Sequence, residues 1–76
     1  MSRSARITIA DCSYQILIRI AKQCGFTLFE GRKHCKVKTR DGRFVTTIPR
    51  HNRVKRETAR SIIDAMNASG ASIRYS

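Results

Sequence analysis

The stretch HCKVKTRDGRFVTTIP, residues 34–49, decides the fold because its pattern predicts a β-hairpin. Two runs of alternating, partly β-branched residues flank Asp41-Gly42, a pair that favours a two-residue turn because both turn positions need positive φ. That turn sets four cross-strand pairs: Arg40 with Arg43, Lys38 with Val45, Lys36 with Thr47, and His34 with Pro49. The stretch is therefore expected to form two neighbouring strands of an antiparallel sheet.

The same hairpin separates the charged side chains from the apolar ones. Successive side chains point to opposite faces of a strand, so one face carries a file of four residues: His34, Lys36, Lys38 and Arg40. The other face carries Cys35, Val37 and Thr39, opposite Ile48, Thr46 and Phe44. Amphipathic helices must bury their apolar stripes, and this second face is the surface available to them.

The flanking segments predict two such helices and a third strand. Residues 13–24 place apolar side chains at helical spacing, with Ser13 or Asp11 as the N-cap. Residues 26–31 predict a short strand, and residues 56–68 predict a second amphipathic helix. A glycine stands just after each helix, where the chain needs a left-handed residue to end it: Gly25 and Gly70.

The predicted fold class is therefore α+β. Its order is α-β-β-β-α, a three-stranded antiparallel sheet with two helices on one face. We expect one domain over residues 1–76 with a folded core at about residues 13–70. For residues 1–12 the sequence leaves two alternatives, a short strand or a flexible tail.

Charge points to a polyanionic partner. The 76 residues contain 16 Lys and Arg against 5 Asp and Glu, a net charge of +11. Residues 32–60 hold eleven of the basic residues and two of the acidic ones, so this segment carries +9. A hydrophobic content of 41% argues against disorder, and no stretch approaches the roughly 20 apolar residues of a membrane span. A basic folded surface favours nucleic acid, the alternative being a solvated face that confers solubility.

The cysteines argue against a disulfide framework. Cys12, Cys24 and Cys35 form no CxxC pair, and a disulfide-stabilised secreted domain of this size normally has four or more cysteines. Reduced thiols in a cytoplasmic protein are therefore predicted. Because His34 and Cys35 are adjacent on a strand, they would point to opposite faces, which is poor geometry for one metal ion. We expect no metal and no cofactor.

Two groups of residues are candidates for function. His34 stands in line with Lys36 and Lys38, so it can exchange a proton while the lysines hold a phosphate; the alternative is a surface histidine with a routine hydrogen bond. At the start of the second helix, basic residues oppose the helix dipole but suit a bound phosphate. That second group comprises Arg53, Lys55, Arg56 and Arg60.

The order and spacing of several short stretches resemble the HicA toxin family of type II toxin–antitoxin systems. The matching stretches cover about residues 14–70: Leu17 to Ile20, Gly25-Phe26, Gly31 to His34, Asp41-Gly42-Arg43, Val45 to His51, and Thr58 to Ile63. The resemblance implies a double-stranded-RNA-binding-domain-like fold and cleavage of messenger RNA. It also implies that His34 is the catalytic histidine and that a HicB-type antitoxin covers its face.

The sequence as a whole predicts a metal-independent endoribonuclease with His34 as general acid or base. The expected RNA-binding residues are all basic: Arg32, Lys33, Lys36, Lys38, Arg40, Arg43, Lys55, Arg56 and Arg60. The alternative is an RNA-binding module that grips phosphates on the basic sheet face without cleaving them. A DNA-binding protein ranks lower because no helix-turn-helix spacing is present.

Overall fold

The computed structural model describes residues 4–75; residues 1–3 of the N-terminal segment and residue 76 lie outside the described residues. The described elements, in chain order, are β1 (Ser4–Ile7), a 3₁₀ turn (Ile9–Asp11), α1 (Tyr14–Gln23), β2 (Thr27–Glu30), β3 (His34–Lys38), β4 (Phe44–Pro49), α2 (Arg56–Ala68) and β5 (Ser72–Tyr75). Strands β2, β3 and β4 form an antiparallel sheet in that order. The predicted α+β class and the order α1-β2-β3-β4-α2 are confirmed.

Both helices end at the predicted glycines. Gly25 has a φ of 86°, its N–H donates to the carbonyl of Lys22, and the next N–H, of Phe26, donates to the carbonyl of Ala21. These two bonds form a Schellman motif, which requires a left-handed residue at this position. Gly70, with a φ of 108°, ends α2 in the same way. At the start of α1, the Ser13 side chain accepts a hydrogen bond from the Ile16 N–H, so Ser13 is the N-cap.

The core lies between the two helices and one face of the sheet. From the sheet, Cys35, Val37 and Ile48 are completely buried. The helices contribute apolar residues at helical spacing: Leu17, Ile20 and Ala21 from α1, and Ala59, Ile62, Ile63 and Met66 from α2. The alternating exposure along β3 confirms that His34 and Lys36 face away from the helices.

Strands β1 and β5 form a second, parallel pair that the sequence analysis only partly anticipated. Ser4 to Ile7 pair with Ser72 to Tyr75, so the described part of segment 1–12 contains a strand. Its partner β5 was not predicted. The Asn67 side chain at the end of α2 accepts from the N–H of Ile73 at 2.7 Å and donates to its carbonyl at 3.0 Å. The Asn67 side-chain amide thus satisfies the backbone N–H and carbonyl of Ile73, which a neighbouring strand would otherwise bind on that side of β5.

The turn of the β3–β4 hairpin differs from the predicted two-residue turn. The Thr39 N–H donates to the carbonyl of Arg43 at 2.8 Å, and the Gly42 N–H donates to the carbonyl of Thr39 at 3.0 Å. Within this turn only Gly42 has a positive φ, 94°, so Arg40, Asp41 and Gly42 form a three-residue turn. The Thr39 hydroxyl favours it by donating to the Asp41 carboxylate and accepting from the Arg43 N–H. The predicted pairing of Arg40 with Arg43 is therefore wrong.

A β-bulge then restores the predicted register. Lys38 pairs with Phe44 instead of the predicted Val45, and Val45 is the extra residue in β4. From there the predicted pairs are confirmed: Val37 with Thr46, Lys36 with Thr47, Cys35 with Ile48, and His34 with Pro49. The bulge also reverses the predicted direction of Phe44, which was expected to face the helices. Phe44 lies beside Lys38 and is 58% exposed.

Candidate nucleic-acid interface

The sheet face opposite the helices, here called the open face, is covered by no other described element. Its residues form rows of cross-strand neighbours: Thr27–Lys38–Phe44, then Phe29–Lys36–Thr47, then His34–Pro49. Neighbours in a row share a face because directly paired residues of antiparallel strands point the same way. None of these eight residues is acidic. The open face therefore presents a central file of His34, Lys36 and Lys38 flanked by two aromatic rings.

The two lysines of the file have different surroundings. Lys36 is exposed at the centre of the sheet, between Phe29 and Thr47. Lys38 is partly buried, and its Nζ lies 5.1 Å from the centroid of the Phe29 ring. A cation at this distance is attracted by the ring and is held close to the sheet. The lysines thus place two positive charges in line with His34.

His34 begins β3 and its side chain is exposed. Its backbone carbonyl accepts a 2.8 Å hydrogen bond from the N–H of Gly31, which is the last residue before the β2–β3 turn. A Cβ atom at Gly31 would lie 3.0 Å from that carbonyl oxygen, tighter than ordinary packing allows. Glycine at this position therefore allows the close approach that fixes the backbone of His34.

Arg50 stabilises the same turn, a role that the sequence analysis missed. Its Nη1 donates to the carbonyl of Gly31 at 2.9 Å, and its backbone N–H donates to the carbonyl of Lys33 at 3.1 Å. Its guanidinium carbon also lies 5.3 Å from the centroid of the Tyr14 ring, at the start of α1. Because these partners are far apart in the chain, no local pattern could have singled out Arg50 among the basic residues.

The predicted RNA-binding residues of the hairpins fall at the two ends of the open face. Arg32 and Lys33 are exposed in the β2–β3 turn, directly before His34. Arg40 and Arg43 lie at the opposite end, since the five residues of β3 span about 17 Å.

The far end of the open face is also less basic than the sequence suggests. The Arg43 Nη2 lies 3.8 Å from the Asp41 carboxylate. The hydrogen bond from Thr39, and then the charge of Arg43, hold the pKa of Asp41 below its usual value. Asp41 is thus ionised at neutral pH and offsets one of the two arginine charges.

A cleft of about 460 Å³ lies at the start of α2. Its lining residues come from the end of β4, the following loop and the first turns of α2: Pro49, His51, Arg53, Val54, Lys55 and Thr58. Pro49 pairs with His34, so the cleft adjoins the His34 end of the sheet. Lys55 is the N-cap residue and makes no capping hydrogen bond with its side chain. The cleft thus adds basic side chains, with exposed Arg56 beside them, to the end of the sheet that already carries Arg32 and Lys33.

Arg60 is the predicted RNA-binding residue that the structure sets apart from this group. Its Nε donates to the Tyr75 hydroxyl at 3.5 Å, and its guanidinium carbon lies 5.7 Å from the centroid of that ring. The Tyr75 hydroxyl in turn donates to Asp64 at 3.2 Å. These contacts, the tyrosine hydrogen bond first, raise the pKa of Arg60 above its usual value. Arg60 therefore packs on β5, on the helix side of the molecule.

The cysteines belong to the core and not to the interface. Cys12, Cys24 and Cys35 are all buried, and burial raises the pKa of the Cys12 and Cys35 thiols. Raised pKa values leave these thiols protonated and poor as nucleophiles. Among residues 4–75, no three His, Cys, Asp or Glu side chains cluster as metal ligands would. Within the same range, no helix has the length and apolar character needed to cross a membrane.

Comparison with known proteins identifies the family. A family model described as the HicA toxin of bacterial toxin–antitoxin systems matches residues 14–68. The matched range runs from the first residue of α1 to the last residue of α2, so it contains the whole antiparallel sheet, His34 and the cleft. No curated protein and no solved structure shows a significant match to the chain. Because the family model covers well over half of the sequence, the chain belongs to the HicA family, the toxins of bacterial toxin–antitoxin systems.

Proposed function

We propose that this toxin is an endoribonuclease that cleaves messenger RNA on the open face, with His34 as its general acid or base. The observation that carries the proposal is the file of His34, Lys36 and Lys38 on a face that the helices leave uncovered. A histidine exchanges protons near neutral pH, and the lysines beside it provide fixed positive charge. Membership of a toxin family supports an attack on an essential polymer of the cell.

The proposed reaction is an internal phosphoryl transfer. His34 as general base takes the proton of a ribose 2′-hydroxyl, whose oxygen forms a bond to the adjacent phosphorus while the bond from phosphorus to the 5′-oxygen breaks. The leaving 5′-oxygen takes up a proton from water, and the products carry a 2′,3′-cyclic phosphate and a 5′-hydroxyl. In the acid role, protonated His34 supplies that proton instead, and water accepts the proton of the 2′-hydroxyl.

The positive side chains have separate roles in this proposal. Lys36 and Lys38 stabilise the extra negative charge on the phosphate during transfer, and they do so without a metal ion. The residues at the His34 end hold the neighbouring phosphates: Arg32, Lys33, Lys55 and Arg56. Arg40 and Arg43 bind phosphates farther along the strand, whereas Arg60 packs on Tyr75 on the helix side and has no part in binding on the open face. Asp41, held by Thr39 and Arg43, belongs to the hairpin turn.

The partner of a toxin in such a system is an antitoxin. We propose that it is of the HicB type and that it neutralises the toxin by covering the open face, where RNA would otherwise bind. The site of action is then the cytoplasm, where messenger RNA is translated. The excess of positive charge on residues 32–60 supports an acidic surface on the antitoxin as well as RNA binding.

The test is His34→Ala in the full chain, prepared free of antitoxin. We expect the rate of cleavage of a labelled messenger RNA to fall at least about 100-fold, because positioned acid–base groups typically contribute that much. The control is Arg19→Gln on α1, which is exposed and lies on the helix side of the sheet. Wild-type cleavage is expected to persist in EDTA and to leave 2′,3′-cyclic phosphate ends.

Two results would contradict parts of this proposal. Cleavage by His34→Ala at the wild-type rate would remove His34 from the mechanism. Binding of RNA by the wild-type chain without any cleavage product would favour the alternative, a module that grips RNA without cutting it.

A further inference from the structure

Two large apolar side chains remain exposed on the open face, and the fold does not account for them. Phe29 is 50% exposed and Phe44 is 58% exposed, and both belong to the sheet that carries His34. The core is filled without them, since Cys35, Val37 and Ile48 occupy the buried side of the same strands. Burying either ring in a complex would remove apolar area from water, a gain that the isolated chain does not realise.

Each ring stands beside a lysine. Phe29 pairs with Lys36 across β2 and β3, and Phe44 pairs with Lys38 across β3 and β4. Lys38 also contacts the Phe29 ring, with its Nζ 5.1 Å from the ring centroid. Aromatic rings that alternate with cations provide stacking surfaces for bases and charges for the phosphates between them. The cores of protein–protein interfaces, by contrast, are depleted in lysine.

We propose that Phe29 and Phe44 stack against unpaired bases, so that the open face takes single-stranded RNA. This inference rests on the proposed function and names the form of RNA that the site accepts. In a duplex the bases are stacked on one another and paired, and their faces are closed to the rings. An unpaired strand can turn its bases onto the sheet while its phosphates reach Lys36 and Lys38.

The positions of the rings relate the stacking to the reacting phosphate. Phe29 is the diagonal neighbour of His34 on the adjacent strand, and such neighbours lie about 7–8 Å apart. Phe44 lies on the far side of Lys38, so the two rings flank the basic file on the outer strands, roughly 10 Å apart across the sheet. A strand that crosses the sheet from Phe44 to Phe29 thus brings a phosphate next to His34.

The experiment measures the affinity of the full chain, free of antitoxin, for a fluorescent 2′-O-methyl RNA, which lacks the 2′-hydroxyl and stays intact. Phe29→Leu and Phe44→Leu keep an apolar side chain but remove the ring. We expect each to weaken binding of the single strand about 5- to 10-fold and the double variant more, with no change in the salt dependence. Phe29→Trp is expected to retain binding, and binding of the same sequence as a duplex is expected not to respond to these substitutions.

Three outcomes would overturn the inference. The first is wild-type affinity for the single strand in both leucine variants, with thermal unfolding showing that they are folded. The second is a loss that affects only the binding of antitoxin, which would assign the rings to that protein interface. The third is failure of the wild-type chain to bind RNA at all, which would also overturn the proposed function; in the first two cases the proposed function stands.

Discussion

The five residues of β3 alternate between two faces of the sheet, and these two faces are subject to different physical demands. Cys35 and Val37 are completely buried beneath the helices, whereas His34 and Lys36, next to them in the chain, are exposed on the open face. On the buried face, volume and shape decide which residues fit, because the interior is close-packed. On the open face, the fold requires only that a residue be compatible with the extended backbone of a strand.

This difference separates stability from binding within one element. A substitution on the buried face is expected to change the free energy of unfolding, and one on the open face to change affinity for a ligand. The presence of two phenylalanines and two lysines on the open face therefore needs an explanation outside the fold. The following predictions test how sharply the two faces are separated.

The largest effect is expected from Ile48→Ala. Ile48 is 0% exposed and faces the helices opposite Cys35, so truncation removes buried apolar atoms and leaves a cavity. We expect the free energy of unfolding to fall by about 2–5 kcal/mol, measured by urea denaturation. The control is Thr47→Ala, one residue away on the open face, which is expected to cost about 1 kcal/mol or less. Equal losses in the two variants would show that the faces are not separated in this way.

A smaller effect, on binding alone, is expected from Lys36→Gln. This variant removes a charge from the centre of the open face, so the slope of the logarithm of RNA affinity against the logarithm of salt concentration should shrink by roughly 0.7. The free energy of unfolding should change by no more than about 0.5 kcal/mol. Arg19→Gln removes the same charge from α1 and should leave the slope unchanged. If both variants reduced the slope equally, overall charge and not the open face would govern binding.

The smallest effect is expected at the hairpin turn, where neither face is involved. The hydrogen bond from Thr39, together with the charge of Arg43, lowers the pKa of Asp41 in the folded chain, so ionised Asp41 stabilises that state. This contribution is complete above the usual value of 3.8 and is lost as the pH falls through the lower folded value. Unfolding of wild type and Asp41→Asn should therefore differ at pH 6, and the difference should shrink as the pH falls below 3.8. A difference that persisted in acid would exclude this cause.

The elements themselves could be predicted because their signals are local. The apolar spacing of α2, at Ala59, Ile62, Ile63 and Met66, and the glycines after both helices depend on near neighbours in the chain. The exposed position of Phe29 could also have been predicted, because residues two apart in a strand point to the same face and Phe29 lies two residues after the polar Thr27. Strand β5 carries too little pattern in four residues to be recognised, and it becomes a strand through β1 and Asn67.

The turn and the site were harder to predict because they depend on contacts made in three dimensions. Asp-Gly suits both a two-residue and a three-residue turn, and the hydroxyl of Thr39 favours the longer one. The clamp of Arg50 on Gly31 joins residues 19 positions apart, and no residue pattern signals it. The file of His34, Lys36 and Lys38 was predicted because the extra residue of the bulge, Val45, lies in β4, so the side chains of β3 keep their alternation.

The bulge at Val45 also shows that the type of turn, as well as residue identity, determines which surface the hairpin presents. The longer turn takes one residue, Arg40, from the β3 side, and the bulge takes one residue, Val45, from the β4 side. Because one residue is taken from each strand, Lys36 pairs with Thr47 just as it would in a two-residue hairpin. Phe44 lies between the turn and the bulge, so the direction of its side chain depends on both of them. A hairpin of the same length with a two-residue turn and no bulge would keep the basic file intact, but it would place Phe44 opposite Thr39 and turn this ring toward the helices. A change of turn type in this hairpin can thus change the aromatic content of the open face without altering the positions of His34 and its lysines.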